Sequence, residues 1–360
     1  FSEGEEIITV TQTDSAGNTS AAVSKLINVS STMVASGDLS ALDLSAVTEL
    51  ILNGNLTALP ETTAKLPKAI NANGYDITAD DTGVNISNVE LSNVNALTVN
   101  AAVTLSMTAA QATLFNTSGG ITLVDATTSV VSVTAGGNLA AQNLDKVTLT
   151  LNAATTLPDS TAELPKIVNA GSTHKIILSE TVDISGVVIN NAAALEIAAS
   201  KNITMEAAQH EAFTSILAAG GNDSITVTDA GAVTAAAAIE TYNVSSGGSN
   251  NVTVNAAKLD VDVAGHAANA TTVTVNGLTV TGDYTLANAG DIIVATDGAD
   301  ISGVNSGGVT SAETLNLTGG VTMTRAQHEA LSFTAAGAAD AVTVTDAGAV
   351  TAAAAIETYN

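Results

Sequence analysis

The sequence holds four histidines, and two of them share a context: His210 in ITMEAAQHEAF (203–213) and His328 in VTMTRAQHEAL (321–331). Imidazole gains or loses a proton near neutral pH, so a recurring histidine invites a general base or a metal ligand. The related segment LSMTAAQATLF (105–115) carries Ala112 at that position. A group that one copy omits reads as a polar residue on a helix edge. His174 and His266 stand alone, with no partner at a recognisable spacing. No H-E-x-x-H, G-x-S-x-G, phosphate-cradling glycine loop or cysteine cluster is present. The sequence therefore predicts no catalytic residues and no enzyme.

Carboxylates at glycine-rich turns are the other candidate chemistry. A hard cation takes several oxygens, from carboxylates and from carbonyls exposed at turns. GGNDSITVTDAG (220–231), DGAD (297–300) and DSAGN (14–18) are such clusters. Asp223, Asp229, Asp297 and Asp300 are the expected metal ligands, and calcium the expected cofactor if there is one. The first segment resembles the nonapeptide of RTX calcium solenoids through Gly220, Gly221, Asp223 and the alternating residues that follow. It departs from that pattern in having no Gly between Asn222 and Asp223 and no repeat at nine residues. The competing reading is a solvated turn whose aspartates bond nearby backbone N–H groups.

What must position these residues is a repeat array. TVTDAGAVTAAAAIETYN stands at 226–243 and again, letter for letter, at 343–360. LPETTAKLPKAINA (59–72) returns as LPDSTAELPKIVNA (157–170), and the pair contains all four prolines: Pro60, Pro67, Pro158 and Pro165. VNISNV, VDISGV and ADISGV mark one place at 84, 182 and 299. Three units of about 100–118 residues follow, near 37–136, 137–234 and 235–360, after a distinct segment 1–33. The second copy runs to Asn360, which predicts an array that continues.

Within each unit short alternating runs recur every 15–30 residues, among them ALTVNA, VTLTLNA, SITVTDA, NVTVNA and TLNLTG. Alternation ending in Asn, Asp or Gly reads as strand then turn, and few tight-hairpin dipeptides separate the runs. Parallel strands need longer connections than hairpins, so the expected fold is mainly β: a parallel β-solenoid with short helices along one edge. The helices are expected in the three A-Q segments, capped by Thr104, Thr204 and Thr322, and between Pro60 and Pro67. A leucine-rich-repeat-like α/β solenoid is the alternative, since VTELILNGNLTALP (47–60) places Leu50, Leu52 and Leu59 near that pattern.

Composition agrees. Aromatics are 2% and tryptophan is absent, yet 46% of residues are apolar, so small β-branched side chains must build the core. Nine Lys+Arg against 35 Asp+Glu give a net charge of −26, which excludes nucleic acid and anionic membrane surfaces as partners. No apolar run approaches the roughly 18 residues of a membrane span. Zero cysteines leave no disulfides.

GEEIITVTQTDSAGNTSAAVSKLINV (4–29) resembles the last two strands of bacterial immunoglobulin-like repeats from giant secreted adhesins. Thr13, Asp14, Ala16, Gly17, Asn18 and Ser20 carry the likeness. The Thr-, Ala-, Val-, Asn- and Gly-rich rungs are similar to repetitive bacterial surface proteins, including S-layer proteins and type I-secreted adhesins. The resemblance implies an extracellular, cell-surface structural or adhesive role as spacer, filament or layer. Its partners would be further copies, end-to-end or in a layer or filament, or a host or surface glycan. A calcium- or glycan-binding solenoid module is the alternative, and a polysaccharide-degrading β-helix enzyme a third. Such enzymes usually gather Asp, Arg and Lys on one face, often with aromatics to stack sugars. This chain has one arginine, Arg325, and four tyrosines: Tyr75, Tyr242, Tyr284 and Tyr359.

Overall fold

Runs that alternate in sequence become strands that alternate in burial, with Leu97–Val99 and Ile176–Leu178 both buried at their ends and half-buried between. A computed structural model describes residues 4–20, 23–29, 31–236, 238–239, 241–244, 250–254, 258–260, 262–264, 271–277, 279–285, 291–305, 314–335 and 340–360. His266 lies outside the described residues. The chain is a parallel β-solenoid of about 13 turns. It divides into two compact units, residues 1–134 with 142–148 and residues 135–141 with 149–360.

The first unit begins with the one antiparallel pair among the described strands, Gly4–Val10 against Val23–Val29. Asp14 holds its turn: Oδ1 accepts the Ala16 and Asn18 N–H groups at 2.9 Å each, while Asn18 Nδ2 donates to Oδ2. Gly17 sits at φ +85°, where a Cβ would be strained. From Thr32–Asp38 onward the pairing is parallel, first to Glu49–Ala58 and from there to Ala69–Asn71 and Ile77–Ala79. Ile77, Leu97 and Ile121 stack in one ladder, and Val84, Leu105 and Val131 in another, all at most 2% exposed.

In the second unit Val182, Ile203, Ile225 and Tyr242 form one inward ladder. Val233, Val252, Val273, Ile293, Leu315 and Phe333 form another, with neighbours 18 to 22 residues apart in sequence. One rung is therefore about twenty residues, and like side chains stack at the strand spacing of about 4.8 Å. That spacing explains the composition. A thin core of stacked Val, Ile and Leu leaves little width for aromatic rings, and β-branched residues fit the pleated surface.

Strand accounts for 45% of the chain and helix for 9%, too little for a helix in every rung, so the leucine-rich-repeat-like alternative falls away. Three α-helices form in the A-Q segments: α1 (Ala109–Thr117), α2 (Ala207–Ala212) and α3 (Arg325–Ala330). Their caps correct the sequence reading. Thr104, Thr204 and Thr322 lie inside the preceding strands, and the N-caps are Thr108, Glu206 and Thr324. A cap must be the extended residue directly before the first helical one, and Gln at the third helical position completes a capping box there. The proline-bracketed segments also differ from expectation. Each makes only one 3-10 turn, Thr63–Lys65 or Thr161–Glu163, because the residue before Pro67 or Pro165 is held extended.

Candidate functional site

The helical segments carry a polar device that recurs in all three. Gln111, Gln209 and Gln327 are at most 8% exposed. Gln209 Oε1 accepts the Glu206 N–H at 2.7 Å, closing the helix start. Its amide donates to the Ile184 carbonyl at 2.7 Å and to the Val187 carbonyl at 2.6 Å, on the preceding rung. Gln111 does the same with Thr108, Ile86 and Val89. Gln327 does so with Thr324, Ile301 and Val304. The I-S-N-V and I-S-G-V turns and the A-Q helices, separate motifs in sequence, are two halves of one clamp.

The second device is built on histidine. His210 and His328 are each 4% exposed, so they are buried and not helix-edge residues facing water. His210 Nε2 lies 3.2 Å from Tyr242 Oη, and Nδ1 lies 3.0 Å from Glu211 Oε1. Tyr242 Oη also accepts the Ala236 N–H at 2.6 Å, and Glu211 Oε1 accepts the Thr234 N–H at 2.7 Å. With the Ala236 proton on its oxygen, the phenol directs its own proton to Nε2. The imidazole then carries its proton on Nδ1, facing the carboxylate. Burial lowers the His210 pKa against the opposing pull of Glu211, and burial raises that of Tyr242.

The other copy repeats the pattern. His328 Nε2 is 3.0 Å from Tyr359 Oη, which accepts the Ala353 N–H at 2.7 Å. Its ring lies 4.7 Å from Phe333. Burial lowers its pKa too, with the Glu329 charge opposing. His328 Nδ1 makes no hydrogen bond among the described residues. The sequence did hold a signal for this pair. His and Tyr are 31 or 32 residues apart in both later copies, whereas Ala112 is followed at those distances by Asn143 and Leu144.

Of the four aspartates expected to ligate a metal, Asp223, Asp229 and Asp297 sit between strands and Asp300 lies within the strand Ala299–Asn305, each with a carboxylate oxygen on backbone. Asp223, fully buried, accepts the Lys201 N–H at 2.9 Å. Asp229 accepts the N–H of Ala207, first residue of α2, at 2.6 Å. Asp297 accepts the Gly320 N–H at 2.8 Å, and Asp300 accepts the Ser302 N–H at 3.0 Å and its hydroxyl at 2.6 Å. Among the described residues no three His, Asp or Glu side chains converge as a metal site would require. The residues that sequence reading missed are Asp291, Asp340 and Asp346. Asp291 and Asp340 are buried like Asp223 and accept the N–H groups of Thr271 and Gly319 at 2.6 and 2.8 Å. Asp346 accepts the N–H of Arg325, first residue of α3, at 2.5 Å. Asp-x5-Asp, at 223/229, 291/297 and 340/346, was the pattern to look for.

The glycine after each helix-capping aspartate makes room. A Cβ on Gly231 would meet Ala207 Cβ at 2.4 Å, and one on Gly348 would meet the Arg325 side chain at 2.9 Å. T-D-A-G is thus a helix-start acceptor and a steric gap, both aimed at the preceding rung. These groups share one chemical consequence: hydrogen-bonding capacity is spent joining rung to rung. The carboxylate–imidazole–phenol chain runs from the exposed Glu211 to a hydroxyl on the fully buried Tyr242. No protein-family model, curated protein or solved structure matches the chain.

Proposed function

We propose that this chain is a non-catalytic structural or adhesive repeat region of a large extracellular bacterial surface protein, serving as spacer, filament or surface layer. The observation that carries the reading is the use of polar side chains. Gln, His, Tyr and Asp residues that could bind or react are instead bonded between successive rungs, in copies that recur along the array. An element selected for span needs each rung to grip its neighbours and little else. The acidic surface keeps such an array soluble at high local density. Further copies of the chain, in a layer or filament, and surface glycans are the partners this reading names.

A second reading, glycan binding, is favoured by one groove. Asn85, Ser87, Ser106, Thr108, Ser132 and Thr134 line about 200 Å³ with hydroxyl and amide groups. One experiment addresses both. Incubated with a panel of surface polysaccharides, the protein is expected to leave chain lengths unchanged. Retention on one polysaccharide that Ser106→Val with Ser132→Val abolishes would favour the groove. Release of new reducing ends would sink the non-catalytic reading.

A further inference from the structure

Each buried histidine fastens a later rung to a helix through one phenol. Tyr242, on strand Thr241–Val244, also holds the Ala236 N–H, so the turn after Ala232–Ala235 hangs on the same oxygen. Tyr359 and Ala353 repeat this. We propose that the His210–Tyr242 and His328–Tyr359 pairs are acid-operated latches, which open the rungs they hold when mild acid protonates the imidazole.

The argument starts from proton counting. In the neutral latch every polar atom of the His210 chain has a complement: carboxylate to Nδ1–H, Nε2 to phenol O–H, phenol oxygen to Ala236 N–H. Protonation turns Nε2 into a donor. The phenol oxygen must then accept from both Nε2 and Ala236, and its own proton loses its acceptor in a fully buried position. The site gains a charge in a poorly solvated place together with an unmet donor, and both favour opening. The charged and titratable groups facing His210 are Glu211 on its own helix and Tyr242. Strands Val188–Asn190 and Ala232–Ala235, which also pack on α2, supply none. Those facing His328 are Glu329 on its own helix and Tyr359, with Phe333 uncharged beside the ring.

The sign follows from linkage. Both histidines are held below the ordinary value of 6.5, so the unfolded rung binds the proton more readily than the folded one. Latch stability is complete above 6.5 and declines as the pH falls from there toward the lowered folded values. Glu211 touches Nδ1 of His210 directly and opposes the effect of burial there, whereas His328 has no such contact. The array also contains its own control, since the first copy has Ala112 in place of histidine.

Hydrogen exchange of the full chain at pH 7.5 and 5.0, corrected for intrinsic chemistry, tests the proposal. Amides of 232–244 and 350–360 are expected to open up to about tenfold faster per pH unit, the limit for one linked proton. Amides of 104–115 should not change. His210→Ala with His328→Ala, copying the natural Ala112, should abolish the pH dependence while raising exchange at both pH values. Glu211→Gln, at an exposed side chain, should move the His210 transition to lower pH and leave the fold intact. The proposal is overturned if 232–244 keeps the same protection at both pH values. It is equally overturned if the first copy responds as strongly, or if the double alanine variant keeps the wild-type pH dependence.

Discussion

Removing the Gln209 amide would strand the Val187 carbonyl and the Glu206 N–H and leave the Ile184 carbonyl with the Val187 N–H alone. Each buried, unmet group costs on the order of 1–3 kcal/mol, so Gln209→Leu should destabilise its rungs by about 2–4 kcal/mol, despite the added apolar surface. Local hydrogen exchange or urea unfolding would show it, and a loss below about 0.5 kcal/mol would mean that water replaces the clamp. Tyr242→Phe is the matching test of the histidine latch. It removes the acceptor of the Ala236 N–H and the donor to Nε2, and should cost roughly 1–3 kcal/mol at pH 7.5, less at pH 5. At this scale the sequence was half legible. It displayed the recurrence of Gln, His and Tyr, but not that His210 and Tyr242, 32 residues apart, would meet. Only the rung length of about twenty residues, unknown until the strands are registered, converts that separation into contact.

Helix starts are where a repeat element is most exposed, because the first N–H groups have no partner within the helix. The chain solves this twice over, with Thr108 or Thr324 accepting from the third helical residue, and with Asp229 or Asp346 reaching back from the next rung. The carboxylate also complements the positive end of the helix. Asp229 therefore has a job that separates capping from metal ligation. An amide oxygen caps nearly as well as a carboxylate but brings a calcium ion no negative charge. Asp229→Asn should retain most of the stability of α2, and Asp229→Ala should lose roughly 0.5–2 kcal/mol, read from the thermal midpoint and from exchange of the Ala207 amide. If Asn is as damaging as Ala, and only when calcium is present, the carboxylate is acting on a cation. The elements themselves were legible where the period was strong: strands from alternation, helices from the A-Q segments. Boundaries were less so. The T-x-x-Q signature of Thr108 and Thr324 was in view, yet the upstream threonines were no less eligible until the parallel ladder had claimed them.

Identical sequence does not give identical structure even within this molecule. In 226–243 the stretch Ala232–Ala235 is a strand paired with Asn250–Val254, whereas the same letters at 349–352 form no strand. The first stretch has the strand of the following rung to pair with. A solenoid strand is completed by its neighbours in the stack, which is why the array as a whole could be inferred from repetition while the register of its rungs could not. The same collective view bears on the charge of −26. Stacking brings carboxylates close, and their repulsion opposes the folded array unless ions screen it or backbone donors engage it. Asp38, Asp43 and Asp125 show the second route: Ser40, Ser45 and Thr127 donate to their carboxyl groups and hold them low, Asp125 at about 2. Such groups contribute stability above their unfolded value of 3.8, and that stability is lost as the pH falls through the lowered folded ones. Acid unfolding should therefore have two stages, one near the histidine range in the rungs that carry latches and one below about pH 4 throughout. What the donors leave unengaged, salt must screen. Sodium, magnesium and calcium at equal ionic strength should then raise the thermal midpoint by the same few degrees, and EDTA should change nothing. A calcium-specific rise at micromolar concentration, removed by EDTA and by Asp223→Asn or Asp297→Asn, would instead show that these aspartates do hold a cation.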